Sequence, residues 1–140
     1  MQESQRFDLY CSFKNTLECE NYLSTLEIKK FRVSFIRFRL GINELNGNNR
    51  FSSEKNEHCP FCMNEIENET HFLLKCTAYE DLREKYLKPY IEYVKFRNVA
   101  FLFDGQGYVK TRKVAMYIHY AFKVRRQRLD ECQGDRNGVI

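Results

Sequence analysis

Three cysteines and a histidine near the middle of the chain have the types and the spacing of metal ligands. Cys59 and Cys62 belong to a Cys-Pro-Phe-Cys tetrapeptide, eight residues separate Cys62 from His71, and four separate His71 from Cys76. A Cys-x-x-Cys turn brings two sulfurs to one ion, and His71 and Cys76 complete a set of four donors. Zn²⁺ prefers four sulfur and nitrogen donors at tetrahedral corners, so the spacing predicts a zinc site.

Four protein ligands leave no coordination position for water, which is typical of a structural rather than a catalytic zinc site. His58, next to Cys59, is an alternative ligand. The tetrapeptide resembles a glutaredoxin-type dithiol, but that motif follows a strand, and here it follows an Asn- and Ser-rich loop. The sequence also lacks the His-x-Glu of zinc deaminases. We therefore expect no enzymatic activity.

Helices must position these ligands, and the first is predicted from about Asn21 to Leu45. Apolar residues recur there at steps of three and four, which indicates a helix. A second apolar stripe on roughly the opposite side suggests that neighbours sandwich this helix. The first stripe contains Ile28, Phe31, Phe35, Phe38 and Ile42, and the second contains Val33, Ile36 and Leu40.

The remaining chain also favours helices. The second helix is predicted from His71 or Phe72 to Leu87, with Pro89 beyond its end. Short helical turns are predicted over 90–103. The last helix is predicted from Tyr108 to Leu129. His71 and Cys76 are five residues apart, about 140° around an ideal helix, so the helix must start near Cys76 or have a distorted first turn. The expected fold is a small, mostly α-helical domain with a Cys3His zinc loop inserted between the first and second long helices.

The domain is predicted over residues 21–129, preceded by an N-terminal extension, 1–20, and followed by a polar tail, 130–140. Six cysteines are present, and the opening decapeptide has neither the basic flank nor the apolar stretch of a secretory signal. No apolar run approaches the roughly 20 residues of a membrane span. We therefore expect an intracellular protein with reduced thiols and no membrane partner.

Charge is segregated along the chain although the net charge is only +4. Residues 29–39 carry +5 and residues 110–128 carry +7, both without an acid, whereas the zinc loop over 57–75 carries −3. Such segregation is a hint of a polyanionic partner, RNA or DNA, held by the basic helices rather than by the zinc loop. Two solvated helix faces that happen to be basic are the alternative explanation of the same charge pattern. The candidate contacts are Arg32, Arg37, Arg39, Lys110, Arg112, Lys113, Lys123, Arg125, Arg126 and Arg128.

Aromatic residues are abundant, with twelve Phe and nine Tyr. Phe31 and Tyr117 could stack on bases, but their helical spacing favours the core. His119, between Tyr117 and Tyr120, is expected to be a half-buried packing residue.

The central part of the chain resembles the reverse transcriptase zinc-binding domain, a module that follows the polymerase in non-LTR retrotransposon proteins. The likeness rests on Cys-Pro-Phe-Cys, an acidic loop ending in Glu69-Thr70, and the stretch HFLLKCTAYEDLREKYL. It covers residues 27–88 and extends more loosely to KVRRQR. The resemblance implies zinc ligands at Cys59, Cys62, His71 and Cys76 and a role in gripping nucleic acid. The sequence contains no Asp-Asp pair, so we expect no polymerase activity from it.

These observations predict a non-catalytic, zinc-stabilised module that binds RNA or DNA weakly and without sequence preference. The alternative is a zinc-stabilised protein-interaction module without nucleic-acid affinity, in which the excess Phe and Tyr side chains form a docking surface.

Overall fold

The computed structural model describes residues 26–48, 57–96 and 99–137, and this part of the chain is mostly helical. The Cys/His cluster lies between the first two α-helices, so the predicted fold class is confirmed. The predicted N-terminal extension lies outside the described residues. The α-helices are α1 (Lys29–Arg39), α2 (Glu80–Tyr86), α3 (Lys88–Phe96) and α4 (Tyr108–Asn137); 3-10 turns cover Asn46–Asn48, Thr77–Tyr79 and Val99–Phe103, and a π-helical turn covers His71–Lys75.

Helix α1 is shorter than predicted because a glycine stops it. Gly41 adopts a positive φ of 69°, which residues with a side chain rarely reach. Its N–H donates to the Phe38 carbonyl, and the Ile42 N–H donates to the Arg37 carbonyl. This pair of hydrogen bonds forms a Schellman motif that ends the helix at Arg39. Residues 26–28 are also non-helical in the structure.

The first stripe forms the buried side of α1. Residues 1–25 lie outside the described residues, and the prediction that neighbours sandwich this helix stays a prediction. Phe31, Phe35 and Phe38 are at most 5% exposed and face the core. In the second stripe Val33 is 39% exposed, and Ile28 at the edge of the first stripe is 46% exposed. Among the described residues, α1 packs mainly against α4, and Ile36 of the second stripe is partly buried against the core.

Helix α4 is the longest element and forms the centre of the fold. Its inner face includes Val114, Tyr117, Ile118 and Ala121, which are all at most 1% exposed. The helix continues to Asn137, so residues 130–137 of the predicted polar tail are helical. Within the described part of the chain, no helix combines the length and the hydropathy needed to cross a bilayer.

The predicted second helix is interrupted rather than continuous. The π-helical turn and a 3-10 turn precede α2, which itself begins only at Glu80. Pro89 lies in the first turn of α3, where its missing N–H removes no helical hydrogen bond. The expected helical turns over 90–103 are confirmed by α3 and the Val99–Phe103 turn, whose Leu102 and Phe103 are buried.

Packed phenyl rings join the helices to the loop that carries the cysteines. The Phe38 ring lies 5.1 Å from that of Phe103 and 5.8 Å from that of Phe72. The Phe72 ring stacks on Phe122 of α4 with centroids 4.6 Å apart. Because Phe72 belongs to the π-helical turn, the aromatic core fixes that turn next to the Cys/His cluster.

Candidate metal centre

The structure brings together the donor atoms of Cys59, Cys62, His71 and Cys76, all within 4.8 Å of one another. The Cys59 and Cys76 sulfurs are 3.7 Å apart, and the Cys62 sulfur is 3.4 Å from His71 Nε2. With Zn–S near 2.3 Å and Zn–N near 2.0 Å, a zinc tetrahedron has S–S edges of about 3.8 Å and S–N edges of about 3.6 Å. These two separations fit a tetrahedral zinc ion.

A tight hairpin positions the first two ligands. The Cys59 N–H donates to the Glu65 carbonyl at 2.9 Å, and the Met63 N–H donates to the Cys59 carbonyl at 3.0 Å. An antiparallel bridge between His58 and Ile66 closes the hairpin, and Met63 adopts a positive φ of 59° at its tip. All of these contacts join residues close together in sequence. The spacing of the two cysteines was therefore enough to predict that their sulfurs come together.

The π-helical turn positions the other two ligands. The Cys76 N–H donates to the His71 carbonyl at 2.9 Å, five residues back instead of the usual four. The turn is wider than in an α-helix, so residues five apart come to the same side. Of the two predicted alternatives, the structure thus has the distorted first turn, and its form is a π turn. The side chain of Asn68 accepts a hydrogen bond from the His71 N–H at the start of this turn.

Buried side chains from two helices satisfy carbonyl groups of the π-helical turn and its end. Arg83 donates through Nε to the Leu73 carbonyl at 2.9 Å and through Nη2 to the Cys76 carbonyl at 2.8 Å. The Tyr117 hydroxyl donates to the Phe72 carbonyl. An irregular turn leaves buried carbonyls without helical partners, and each unsatisfied group would destabilise the fold. Sequence reasoning did not identify these roles, which depend on distant helices.

Burial and hydrogen bonding set the ionisation of the thiols. Burial raises the pKa of the Cys59 thiol to about 12 and also raises the pKa of Cys76. Hydrogen bonding from the Asn64 backbone is the main cause of a lowered pKa at Cys62. A divalent cation bound at the centre would favour the thiolate form of all three residues, since thiolates are the metal-binding species.

Glu65 orients the histidine ligand, a role that sequence reasoning missed. His71 Nδ1 donates to Glu65 Oε2 at 3.1 Å, and Lys75 Nζ lies 3.8 Å from the same oxygen. This hydrogen bond fixes the proton on Nδ1 and leaves the lone pair of Nε2 facing Cys62. The carboxylate inside the predicted metal loop was the available sequence signal, because metal-bound histidines commonly donate to a carboxylate.

We expect Glu65→Ala to weaken zinc affinity by about 10- to 100-fold without abolishing binding, the usual cost of losing such a partner. Competition with a chromophoric chelator measures this change. Glu57→Ala is the matched control, because Glu57 is an exposed acid of the same loop and lies outside the donor cluster. An equal loss in both variants would show that general charge, rather than the bond to His71, sets the affinity.

Other candidate ligands lie outside the cluster. The structure includes His71 rather than His58 in the group of four, and His58 is exposed. Cys132 is exposed on α4. Cys11 and Cys19 lie outside the described residues.

The ten basic residues predicted to contact nucleic acid occupy three different environments. Two of them, Arg32 and Lys113, are half-buried, and three more are buried. The exposed residues are Arg37, Arg112, Lys123, Arg126 and Arg128.

The prediction is corrected for the three buried cations, Arg39, Lys110 and Arg125. The Arg39 guanidinium packs 5.6 Å from the Phe35 ring centre. Lys110 Nζ donates to the Phe101 carbonyl and to Asp104 Oδ1, both at 2.6 Å. Arg125 is paired with buried Glu67. Partners inside the protein hold these charges away from the surface.

The aromatic predictions agree with the observed packing. Phe31 is 5% exposed and Tyr117 is fully buried, so neither ring offers a free face for a base. His119 is half-buried, with Phe31 and Tyr120 packed edge-on against it and the Ser34 hydroxyl 3.3 Å from Nδ1.

No family model matches the chain, and neither a curated protein nor a solved structure matches it. The donor geometry and the charge distribution are therefore the basis for assigning a function.

Proposed function

We propose that this chain is a non-catalytic, intracellular zinc module that binds RNA or DNA weakly and without sequence preference through its basic helices. In this proposal Cys59, Cys62, His71 and Cys76 hold Zn²⁺. The module is of the kind that follows the polymerase in non-LTR reverse transcriptases, as the motif around these ligands suggests.

The donor set supports zinc in a structural role. Three thiols and one imidazole at tetrahedral separations match the preference of Zn²⁺ for sulfur and nitrogen ligands. Four protein ligands leave no open position at which a water molecule could be activated. Bound zinc would tie the hairpin at Cys59 to the π-helical turn. Metal analysis of the purified protein should find one zinc per chain.

The observation that carries the nucleic-acid part is the packing of the two basic segments against each other. Helix α1 and helix α4, which contain the acid-free segments 29–39 and 110–128, form the main helix pair of the fold. Arg37 of α1 and Arg126 of α4 line one groove of about 180 Å³ between them. Glu44 also lines this groove, with Oε1 3.6 Å from Arg126 Nη1. Two charge runs that are distant in sequence therefore meet at one surface.

The lowered pKa of His119 is consistent with a positive potential at this surface. Its pKa is lowered by burial and then by the charges of Lys30, Arg126 and Lys123. Lys30 belongs to α1 and the other two cations belong to α4, so cations of both helices surround the imidazole. The positive charges of these side chains repel one another. The phosphates of a bound polyanion would attract them and offset that repulsion.

We expect the zinc-loaded protein to bind a short single-stranded oligonucleotide with an affinity that falls steeply as salt rises, because phosphate contacts release counterions. Fluorescence anisotropy over a series of salt concentrations measures the slope. Lys123→Gln should reduce the slope by about 0.7, the contribution of one phosphate contact on a single strand. Lys88→Gln is the control, since Lys88 is an exposed cation already paired with Glu84.

Glu44→Gln provides a test in the opposite direction. Removing this acid from the groove should tighten binding, whereas Arg126→Gln should weaken it. Binding that is undetectable at low salt, or insensitive to salt, would contradict the proposed nucleic-acid function and leave a protein-interaction role as the alternative.

A further inference from the structure

A second groove, of about 330 Å³, lies where the start of α4 meets α2. Its apolar lining includes Tyr86, Tyr108 and Val109, and its charged lining consists of Lys85, Arg112 and Lys113. Tyr108 and Val109 are each 56% exposed, which is unusual for large apolar side chains that lie side by side. An accessible aromatic ring among cations, without an acid in the lining, suits a ligand with flat rings and negative charge.

We propose that this groove binds single-stranded nucleic acid, with a base stacked on Tyr108 and the adjacent phosphates held by Arg112 and Lys113. This inference rests on the proposed function and specifies the form of nucleic acid that is bound. Proteins that bind single strands without sequence preference combine a basic groove with aromatic rings on which any base can stack. Duplex bases are already stacked on one another and cannot reach the ring in this way.

The position of the groove on α4 connects it to the basic surface described above. At 100° per residue, Tyr108, Arg112, His119, Lys123 and Arg126 lie within about 60° of one another around the helix axis. They extend over about 27 Å of the helix. Cations continue along this face well beyond the groove, which favours an extended polyanion over a compact acidic ligand.

The other tyrosine of this groove, Tyr86, has no free ring face on which a base could stack. Tyr86 is 8% exposed and its ring already stacks on Tyr120, with centroids 6.1 Å apart. Lys85 Nζ lies 5.2 Å from the centre of the same Tyr86 ring. The exposed Tyr108 is therefore the ring of this groove on which the stacking depends.

The experiment compares Tyr108→Ala and Tyr108→Phe on two probes, an oligothymidylate and an abasic oligonucleotide of the same length. Tyr108→Ala should weaken binding to the oligothymidylate by about tenfold, or about 1.4 kcal/mol, which is the size of one lost base-stacking contact. Binding to the abasic probe should be unchanged, because that probe retains its phosphates but has no bases. Tyr108→Phe keeps the ring and should bind both probes like the wild type. Circular dichroism of each variant checks that the fold is retained.

The two proposals fail in different ways. If wild-type binding depends on salt but Tyr108→Ala binds the oligothymidylate as tightly as the wild type, the stacking site is wrong and the basic surface remains. An equal loss on both probes would also overturn stacking. If Tyr108→Ala weakens binding of an acidic helical peptide but leaves oligothymidylate binding unchanged, the groove binds a protein partner instead. If neither probe binds at any salt concentration, the proposed function itself has failed.

Discussion

Replacing Cys76 with serine will unfold the domain, whereas the same substitution at Cys132 will leave its stability nearly unchanged. Cys76 is 1% exposed, and its sulfur lies 3.7 Å from that of Cys59, so the substitution removes a proposed metal ligand from the core. Structural zinc contributes on the order of 10 kcal/mol of folding free energy, as much as the whole stability of a typical domain. Cys132 is exposed on α4 and lies outside the donor cluster.

Thermal unfolding followed by circular dichroism, with and without a strong chelator, measures this difference. The wild type and Cys132→Ser should unfold cooperatively and lose stability when the chelator is added. Cys76→Ser should lack a cooperative transition and respond little to the chelator, because its site is already incomplete. Equal stability of the two variants would refute the assignment of Cys76 as a ligand.

Glu67→Gln will lower the free energy of unfolding by about 3–5 kcal/mol, the usual cost of leaving a buried charge without its partner. Glu67 is fully buried and accepts hydrogen bonds from Arg125 Nη2 at 2.7 Å and Nε at 3.1 Å. It also accepts one from the Asn46 N–H at 2.7 Å. The carboxylate thus ties the zinc loop to α4 and to the segment after α1. Urea denaturation of the zinc-loaded protein measures the loss.

The ion pair between Glu84 and Lys88 provides a matched control. Its shortest distance is also 2.7 Å, but its two side chains are 65% and 69% exposed. Solvent screens such a pair, so Glu84→Gln should leave the stability nearly unchanged. The double variant Glu67→Met/Arg125→Met should lose less than the two single variants together, because it leaves no lone buried charge. Equal effects of Glu67→Gln and Glu84→Gln would show that burial does not strengthen the pair.

The candidate metal ligands were predictable because residues close together along the chain bring their donor atoms together. Cys59 and Cys62 meet through a hairpin closed by Glu65, and His71 meets Cys76 through a single turn. The five-residue interval between the last two ligands left two alternatives, a helix start near Cys76 or a distorted first turn, and the structure shows the second as a π-helical turn. The helical class was predictable from apolar periodicity, which decides which faces of a helix can be buried.

The ends of the helices were harder to predict than their existence. Gly41 stops α1 through a Schellman motif although apolar residues continue beyond it. In contrast, α4 continues to Asn137 through a polar stretch that the pattern assigned to a tail. Apolar periodicity measures burial, whereas a helix ends where backbone hydrogen bonds find other partners.

The sequence by itself determined the donor set, the helical class and the segregation of charge, since each depends on residues close together along the chain. Only the tertiary structure decided which of the basic residues face solvent. Arg125, for example, meets Glu67 across 58 residues. A charge can enter the interior only with a partner that compensates its lost hydration, and the folded backbone alone determines where that partner lies.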